Sequence, residues 1–165
     1  MKVLGLAGWS GSGKTTLLVG LIPELIASGL SVSTVKHAHH RFDVDQPGKD
    51  SWRHRDAGAH EVMIGSANRF ALMHELRDTP EPSLDNLLAR MSPVDLVLVE
   101  GFKSEAHPKL EVHRAANGKS LLWPGDPAII AIASDAEVDC GALARLNLND
   151  VPAIARFIAG WADTA

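Results

Sequence analysis

Gly8-Trp9-Ser10-Gly11-Ser12-Gly13-Lys14-Thr15 satisfies the G-x-x-x-x-G-K-[ST] spacing of a Walker A loop at every position. Each residue type has a physical task there. Gly11 and Gly13 allow backbone angles that a side chain forbids, so successive amides can converge on an anion. A helix starting near Gly13 adds the positive end of its dipole. Lys14 brings an ammonium group to the β- and γ-phosphates, and Thr15 offers a hydroxyl to Mg2+. The expected phosphate ligands are Gly8, Ser10, Gly11, Ser12, Gly13, Lys14, Thr15 and Thr16. A glycine-rich turn that only caps a helix is the plain alternative. The surrounding elements argue against it, because an apolar strand precedes the loop and an amphipathic helix follows.

A Mg2+ site of this kind also needs a carboxylate at the end of a neighbouring strand. Glu100 is the first candidate, since it ends the apolar run Val94 to Val99, and Gly101 after it can offer an amide to a γ-phosphate. Asp95 lies at the other end of that run and is weaker. A second acidic group, Asp43 and Asp45, lies where responsive loops often sit, with Lys49, Arg53 and Arg55 nearby as cations. Five of the eight histidines fall between His37 and His60. His37, His39 and His40 beside Asp43 and Asp45 allow a transition-metal site in principle, yet their spacing matches no strong zinc pattern. Contact with an anionic ligand or a partner, or an ordinary polar loop, accounts for them better.

The elements that must carry these groups are legible in outline. Val3 to Ala7 reads as a buried strand. Leu17, Leu18, Leu21, Ile22, Leu25 and Ile26 recur at helical spacing, with Pro23 expected to bend the helix and Gly29 to close it. Ser31 to Val35 follows as a strand, and Asp50 to Gly58 as a short helix capped by Asp50 or Ser51. Glu61 to Ser66 and Arg69 to Glu75 suggest a hairpin turning at Ala67-Asn68. Leu84 to Met91 reads as a helix behind Ser83, and Val94 to Val99 as a buried strand. Lys109 to Arg114 alternates apolar and polar residues and predicts a half-exposed strand, which would be free to pair across a dimer. Ala128 to Ala133 is again a buried strand, and Val151, Ile154, Ile158 and Trp161 mark one face of a closing helix capped by Asn149 or Asp150. Alternation of strands and helices predicts a three-layer α/β/α sandwich of the phosphate-loop type, with a mostly parallel sheet and an antiparallel addition.

At 165 residues one core is the default, and the whole chain reads as a single nucleotide-binding domain. Apolar residues make up 45% and charged residues 22%, which excludes a disordered chain. A net charge of −4 argues against general nucleic-acid binding. No apolar run is long enough for a bilayer, and no signal sequence opens the chain. The single Cys140 cannot form an intrachain bridge, which fits a reducing cytoplasm.

Further motifs accompany the glycine loop: Lys36-His37-Ala38-His39-His40, then Asp43-Val44-Asp45-Gln46-Pro47-Gly48-Lys49-Asp50-Ser51. They continue through Ala57-Gly58-Ala59, Arg69-Phe70-Ala71-Leu72-Met73, Asp95 to Lys103, and Ile130-Ala131-Ile132-Ala133-Ser134-Asp135. With these the chain resembles, over nearly its whole length, the MobB family of accessory proteins of molybdopterin-guanine dinucleotide synthesis. The glycine loop is generic, whereas Asp-x-Asp-x-Pro-Gly-Lys-Asp followed by Val-Glu-Gly-Phe-Lys is specific. The resemblance implies a GTP-binding protein with weak GTPase activity that assists a guanylyltransferase joining GMP to molybdopterin and forms homodimers. It implies Mg2+ held by Thr15, Asp45 and Glu100; beside these, His37, His39, Lys49, Gly101 and Lys103 are candidate γ-phosphate or partner contacts. The loop from His37 to Lys49 would sense nucleotide state or meet molybdopterin. It implies that Asp135 reads guanine, although the Asn-Lys-x-Asp guanine motif of Ras-like proteins is absent. Gly118 to Pro127 matches poorly, so nothing carries over there. Two other readings stay open: a phosphate-loop kinase using Arg53, Arg55 or Arg69, and a binding module in which nucleotide only controls docking.

Overall fold

The computed structural model describes residues 1–38 and 42–164. The chain forms two compact units, one of residues 1–37 with 91–165 and one of residues 38–90. His39 and His40 lie outside the described residues.

The first unit holds a parallel sheet. Its strands are β1 (Lys2–Ala7), β2 (Val32–Lys36), β5 (Leu96–Glu100), β6 (Lys109–His113), β7 (Ile129–Ser134) and β8 (Ala144–Asn147). They run in the order β2-β5-β1-β6-β7-β8, every pairing parallel. Parallel pairing requires crossovers, and buried parallel strands tolerate continuous apolar runs such as Leu96–Val99. Helices α1 (Lys14–Ala27) and α4 (Val151–Thr164) join one face of the sheet in a core containing Leu4, Leu21, Leu98, Leu110, Ile154 and Ile158, all within 1% of full burial. Helix α1 runs through Pro23 and ends before Gly29, whose positive φ suits the chain reversal. Asp150 caps α4 by accepting from the Ala153 amide at 3.0 Å. On the other face Ile129 and Ile132 pack with Leu122, Trp123 and Cys140, so the thiol serves as a small hydrophobe.

Strand β6 departs from the expected half-exposed strand: it lies between β1 and β7, and Lys109, Leu110, Glu111 and Val112 are buried. Its polar residues are satisfied internally rather than by water. Lys109 Nζ donates to Asp126 Oδ2 at 2.8 Å and to the Lys103 carbonyl at 2.9 Å. Glu111 accepts from the Leu122 and Trp123 amides at 2.7 and 2.9 Å. An alternating pattern therefore signals exposure only where no partner is supplied. This interior strand has no free edge for a dimer contact. Strand β8, rich in residues of low strand propensity, gave no periodic signal.

The second unit holds α2 (Asp50–Asp56), the antiparallel pair β3 (Glu61–Gly65) and β4 (Phe70–His74), and α3 (Leu84–Leu88). The expected hairpin forms, and its turn is closed by the Ser66 hydroxyl accepting from the Asn68 and Arg69 amides. Helix α2 is capped one residue before the first of its expected caps, by Lys49 in extended conformation and with no side-chain cap bond. Helix α3 is shorter than its pattern and opens on a capping box, Ser83 with Asn86. Among the described residues no helix is long and apolar enough to cross a membrane.

Candidate functional site

A parallel sheet collects the carboxyl ends of its strands at one edge, which is where open α/β sheets bind ligands. Here that edge brings together Gly8 after β1, His37 after β2, Gly101 after β5, Arg114 after β6 and Asp135 after β7.

The glycine loop runs from β1 straight into α1. Gly8, Gly11 and Gly13 have φ of 148°, 78° and 94°. At Gly8 the space is also taken, since a Cβ there would meet the Val112 carbonyl oxygen at 2.5 Å. No side chain caps α1: Gly13 occupies the N-cap and the first turn carries no acidic residue. The first amides of a 14-residue helix therefore remain for an anion. Ser12 is buried, and its Oγ has no hydrogen-bond partner among the described residues, an orphaned polar atom that a phosphate oxygen would satisfy. Lys14 folds back over the loop and donates to the Gly8 and Trp9 carbonyls, each at 2.9 Å. Burial lowers its pKa and the nearby Lys103 and Lys36 add to that, while Glu100 works against them.

Across from the loop, Thr15 Oγ1 donates to Glu100 Oε1 at 2.8 Å. Glu100 Oε2 faces Lys36 Nζ at 3.6 Å. The hydroxyl and carboxylate expected to share Mg2+ thus already meet, and a hard oxygen pair of this kind suits that ion. The backbone after Glu100 is tight. The Gly101 Cα lies against His37, so that a Cβ would come within 2.4 Å of the His37 Cβ, and Phe102 takes a positive φ with its ring 4.8 Å from the His37 ring. The His37 amide donates to the Glu100 carbonyl at 2.8 Å. Asp95, the weaker candidate, faces the other end of the sheet, where it accepts from the Ser31 amide and hydroxyl. Those two bonds hold its carboxyl below the usual range, and they pin the start of β2 to the start of β5.

Asp45 and Lys49 belong to the second unit. Arg55 donates to Asp45 at 2.8 Å and to Asp43 at 2.9 Å, and lies 3.6 Å from Glu75. Asp45 is buried in that contact, and Asp45 is the first cause of a raised Arg55 pKa. The acidic pair of the sequence is accordingly engaged by Arg55 inside its own unit. No group of three or more His, Cys, Asp or Glu side chains able to hold a metal occurs among the described residues.

Asp135 stands at the carboxyl end of β7, where Oδ1 accepts from the Ala115 amide at 2.8 Å and Oδ2 from Arg114 at 3.2 Å. Arg114 and Asn117 gave no signal in the sequence, because their partners, Asp135 and Ser10, lie in loops distant in the chain. Asn117 Nδ2 donates to the Ser10 carbonyl at 3.3 Å. Trp9 is anchored by its Nε1 on the Ser120 carbonyl at 2.8 Å.

The architecture and this glycine-loop edge can be set beside known proteins. Residues 3–135 match the family model described as molybdopterin guanine dinucleotide synthesis protein B, MobB. The chain belongs to the MobB family. It is 46% identical to the molybdopterin-guanine dinucleotide biosynthesis adapter protein of Haemophilus influenzae, over 98% of this chain and 89% of that one. To the Escherichia coli protein of the same name it is 44% identical, over 98% of this chain and 93% of that one. Its fold is similar to the crystal structure of a MobB homolog from Bacillus stearothermophilus, with a TM-score of 0.74, 26% identity and full coverage of both chains. The parallel sheet with helices and the separate antiparallel pair are thus the architecture of MobB proteins. Membership places the chain in molybdopterin-guanine dinucleotide biosynthesis in the role of an adapter protein.

Proposed function

We propose that this MobB protein is a nucleotide-dependent adapter that binds Mg2+-GTP in its glycine loop and assists the guanylyltransferase that attaches GMP to molybdopterin. The observation that carries the reading is the uncapped start of α1 under Gly8, Gly11 and Gly13, with Lys14 folded over it and Thr15 in contact with Glu100. Amides of the loop and Lys14 would hold the phosphates, and Thr15 with Glu100 would hold Mg2+. Lys36 and Lys103 flank Glu100 and Lys14 and would face the γ-phosphate end. Hydrolysis is slow in this reading. No glutamine is assigned to orient an attacking water, and such groups are worth orders of magnitude in rate.

The adapter role asks for a protein-contact surface, and the hairpin of the second unit offers one. Met63, Phe70 and Leu72 share one face through the pairs Met63↔Leu72 and Gly65↔Phe70, and all three are exposed. Apolar groups exposed together mark contact sites more often than singly exposed ones. In this reading the protein acts in the cytoplasm as a homodimer. A kinase reading finds less support, since Arg55, one of the cations it required, is held by Asp43, Asp45 and Glu75.

The test is titration with GTP and with ATP in the presence of Mg2+, followed by the fluorescence of Trp9, which sits inside the loop. Preference for GTP that disappears on chelation of Mg2+ supports the reading. Preference for ATP, with phosphate transferred to an added acceptor faster than to water, moves it to a kinase.

A further inference from the structure

Arg114 is a cation at the edge of the site that no motif assigned. It follows β6 directly, and β6 is the neighbour of β1, so its side chain emerges beside the glycine loop. The guanidinium lies against Gly13: a Cβ built there would be 3.4 Å from Nη2 and 3.8 Å from Nε. Its remaining nitrogen, Nη1, donates to Asp135 Oδ2 at 3.2 Å, and Oδ1 of the same carboxylate accepts from the Ala115 amide. One carboxylate after β7 therefore fixes both the guanidinium and the backbone that bears it. Three residues on, Asn117 braces the loop a second time through the Ser10 carbonyl. The Arg114 side chain keeps 37% of its surface accessible, so a ligand can reach it.

Beyond Asp135 a cavity of about 620 Å³ opens at the ends of β7 and β8, lined by Ser134, Asp135, Glu137, Arg145 and Asn147 among others. A nucleotide with its phosphates in the loop and its base in this cavity must cross the span between Gly13 and Asp135. Arg114 touches both ends of that span.

Resting on the phosphate-loop reading above, we infer that Arg114 contacts the ribose and α-phosphate of the bound nucleoside di- or triphosphate, and that Asp135 is the positioning residue that holds it there. Guanine recognition then falls to other groups of the cavity. The guanidinium offers donors in a fixed fork that a lysine cannot reproduce, and the Asp135 contact orients that fork before the ligand arrives.

The experiment is titration of GTP, GDP and ATP with Mg2+ against the full chain, with Arg114→Gln, Arg114→Lys, Asp135→Asn and Lys14→Ala, each checked by thermal melting. Arg114→Gln is expected to weaken GTP and GDP equally, by roughly 10- to 100-fold, the loss of charge-assisted bonds, and Arg114→Lys to recover part of it. Asp135→Asn is expected to weaken GTP and ATP by the same smaller factor and leave their ratio unchanged. Unaltered affinity in a folded Arg114→Gln protein overturns the inference, as does a loss confined to GTP over GDP, which would move Arg114 to the γ-phosphate. A selective loss of GTP over ATP in Asp135→Asn makes that residue a base reader and overturns its positioning role. If the wild-type chain binds no nucleotide, the phosphate-loop reading itself falls and the inference falls with it.

Discussion

In the unit of residues 1–37 and 91–165 the strands are all parallel, and those from Leu96 to Val99 and from Leu110 to Val112 are sealed from water. In the unit of residues 38–90 the strands are antiparallel, and of its apolar residues Val62 and Leu84 are buried while Phe42, Met63 and Phe70 are more than 60% exposed. The first arrangement holds loop ends at fixed distances from one another, as a phosphate site demands. The second leaves apolar groups unburied, which favours contact with another protein over chemistry. Charge follows the same division. In the first unit Glu100, Lys36 and Lys103 all act on Lys14, whereas in the second Arg55 is consumed by three carboxylates.

The sharpest way to break this contrast is to truncate one apolar side chain in each unit. Leu98→Ala is expected to cost about 3 kcal/mol or more, since a fully buried leucine leaves a cavity. Phe70→Ala is expected to cost under about 0.5 kcal/mol. Urea denaturation of both variants measures the difference, and equal losses would mean that the hairpin face is structural. Next comes Arg55→Ala, which strands the buried carboxylate of Asp45. A loss of about 2 kcal/mol is expected, read as reduced amide protection confined to residues 42–90, with GTP affinity unchanged. A smaller effect belongs to Glu100→Gln. Its expected outcome is about tenfold weaker binding of GTP in Mg2+ and near-equal binding with and without the ion, seen by titration at two Mg2+ levels.

Much of the first unit was readable because its signals are local. The glycine loop, the run Leu96 to Val99 ending at Glu100, and the helical spacing of α1 each lie within one element. What escaped is non-local. Lys109 and Glu111 look exposed until Asp126 and the amides of residues 122 and 123 are seen to satisfy them. Arg114 gains its place from Asp135, 21 positions away just after the next strand. In the second unit the hairpin was evident from its turn, but the pairing of Asp45 with Arg55 depends on how the chain folds back.

The smallest predicted effect concerns pH. His107 is packed against Gly5, neither ring nitrogen has a hydrogen-bond partner among the described residues, and burial lowers its pKa, with Lys109 adding to that. Above its ordinary value near 6.5 both folded and unfolded chains hold it neutral, and it adds no pH dependence. As pH falls through that value the unfolded chain takes up a proton and the folded one does not. Stability must then fall, by at most about 1.4 kcal/mol per pH unit, until the lower folded value is passed. His107→Asn is expected to flatten that part of the curve in urea melts between neutral and mildly acidic pH, and an unchanged slope would show that the imidazole is protonated in place.

Calorimetric titration of Mg2+-GTP into the wild-type chain and Lys14→Ala asks whether the glycine loop holds the phosphates of a guanine nucleotide. Saturable binding by the wild type is expected, weakened at least about 100-fold in the variant with its melting temperature preserved. Equal affinity in the two proteins, or no binding by either, would contradict phosphate binding by the loop.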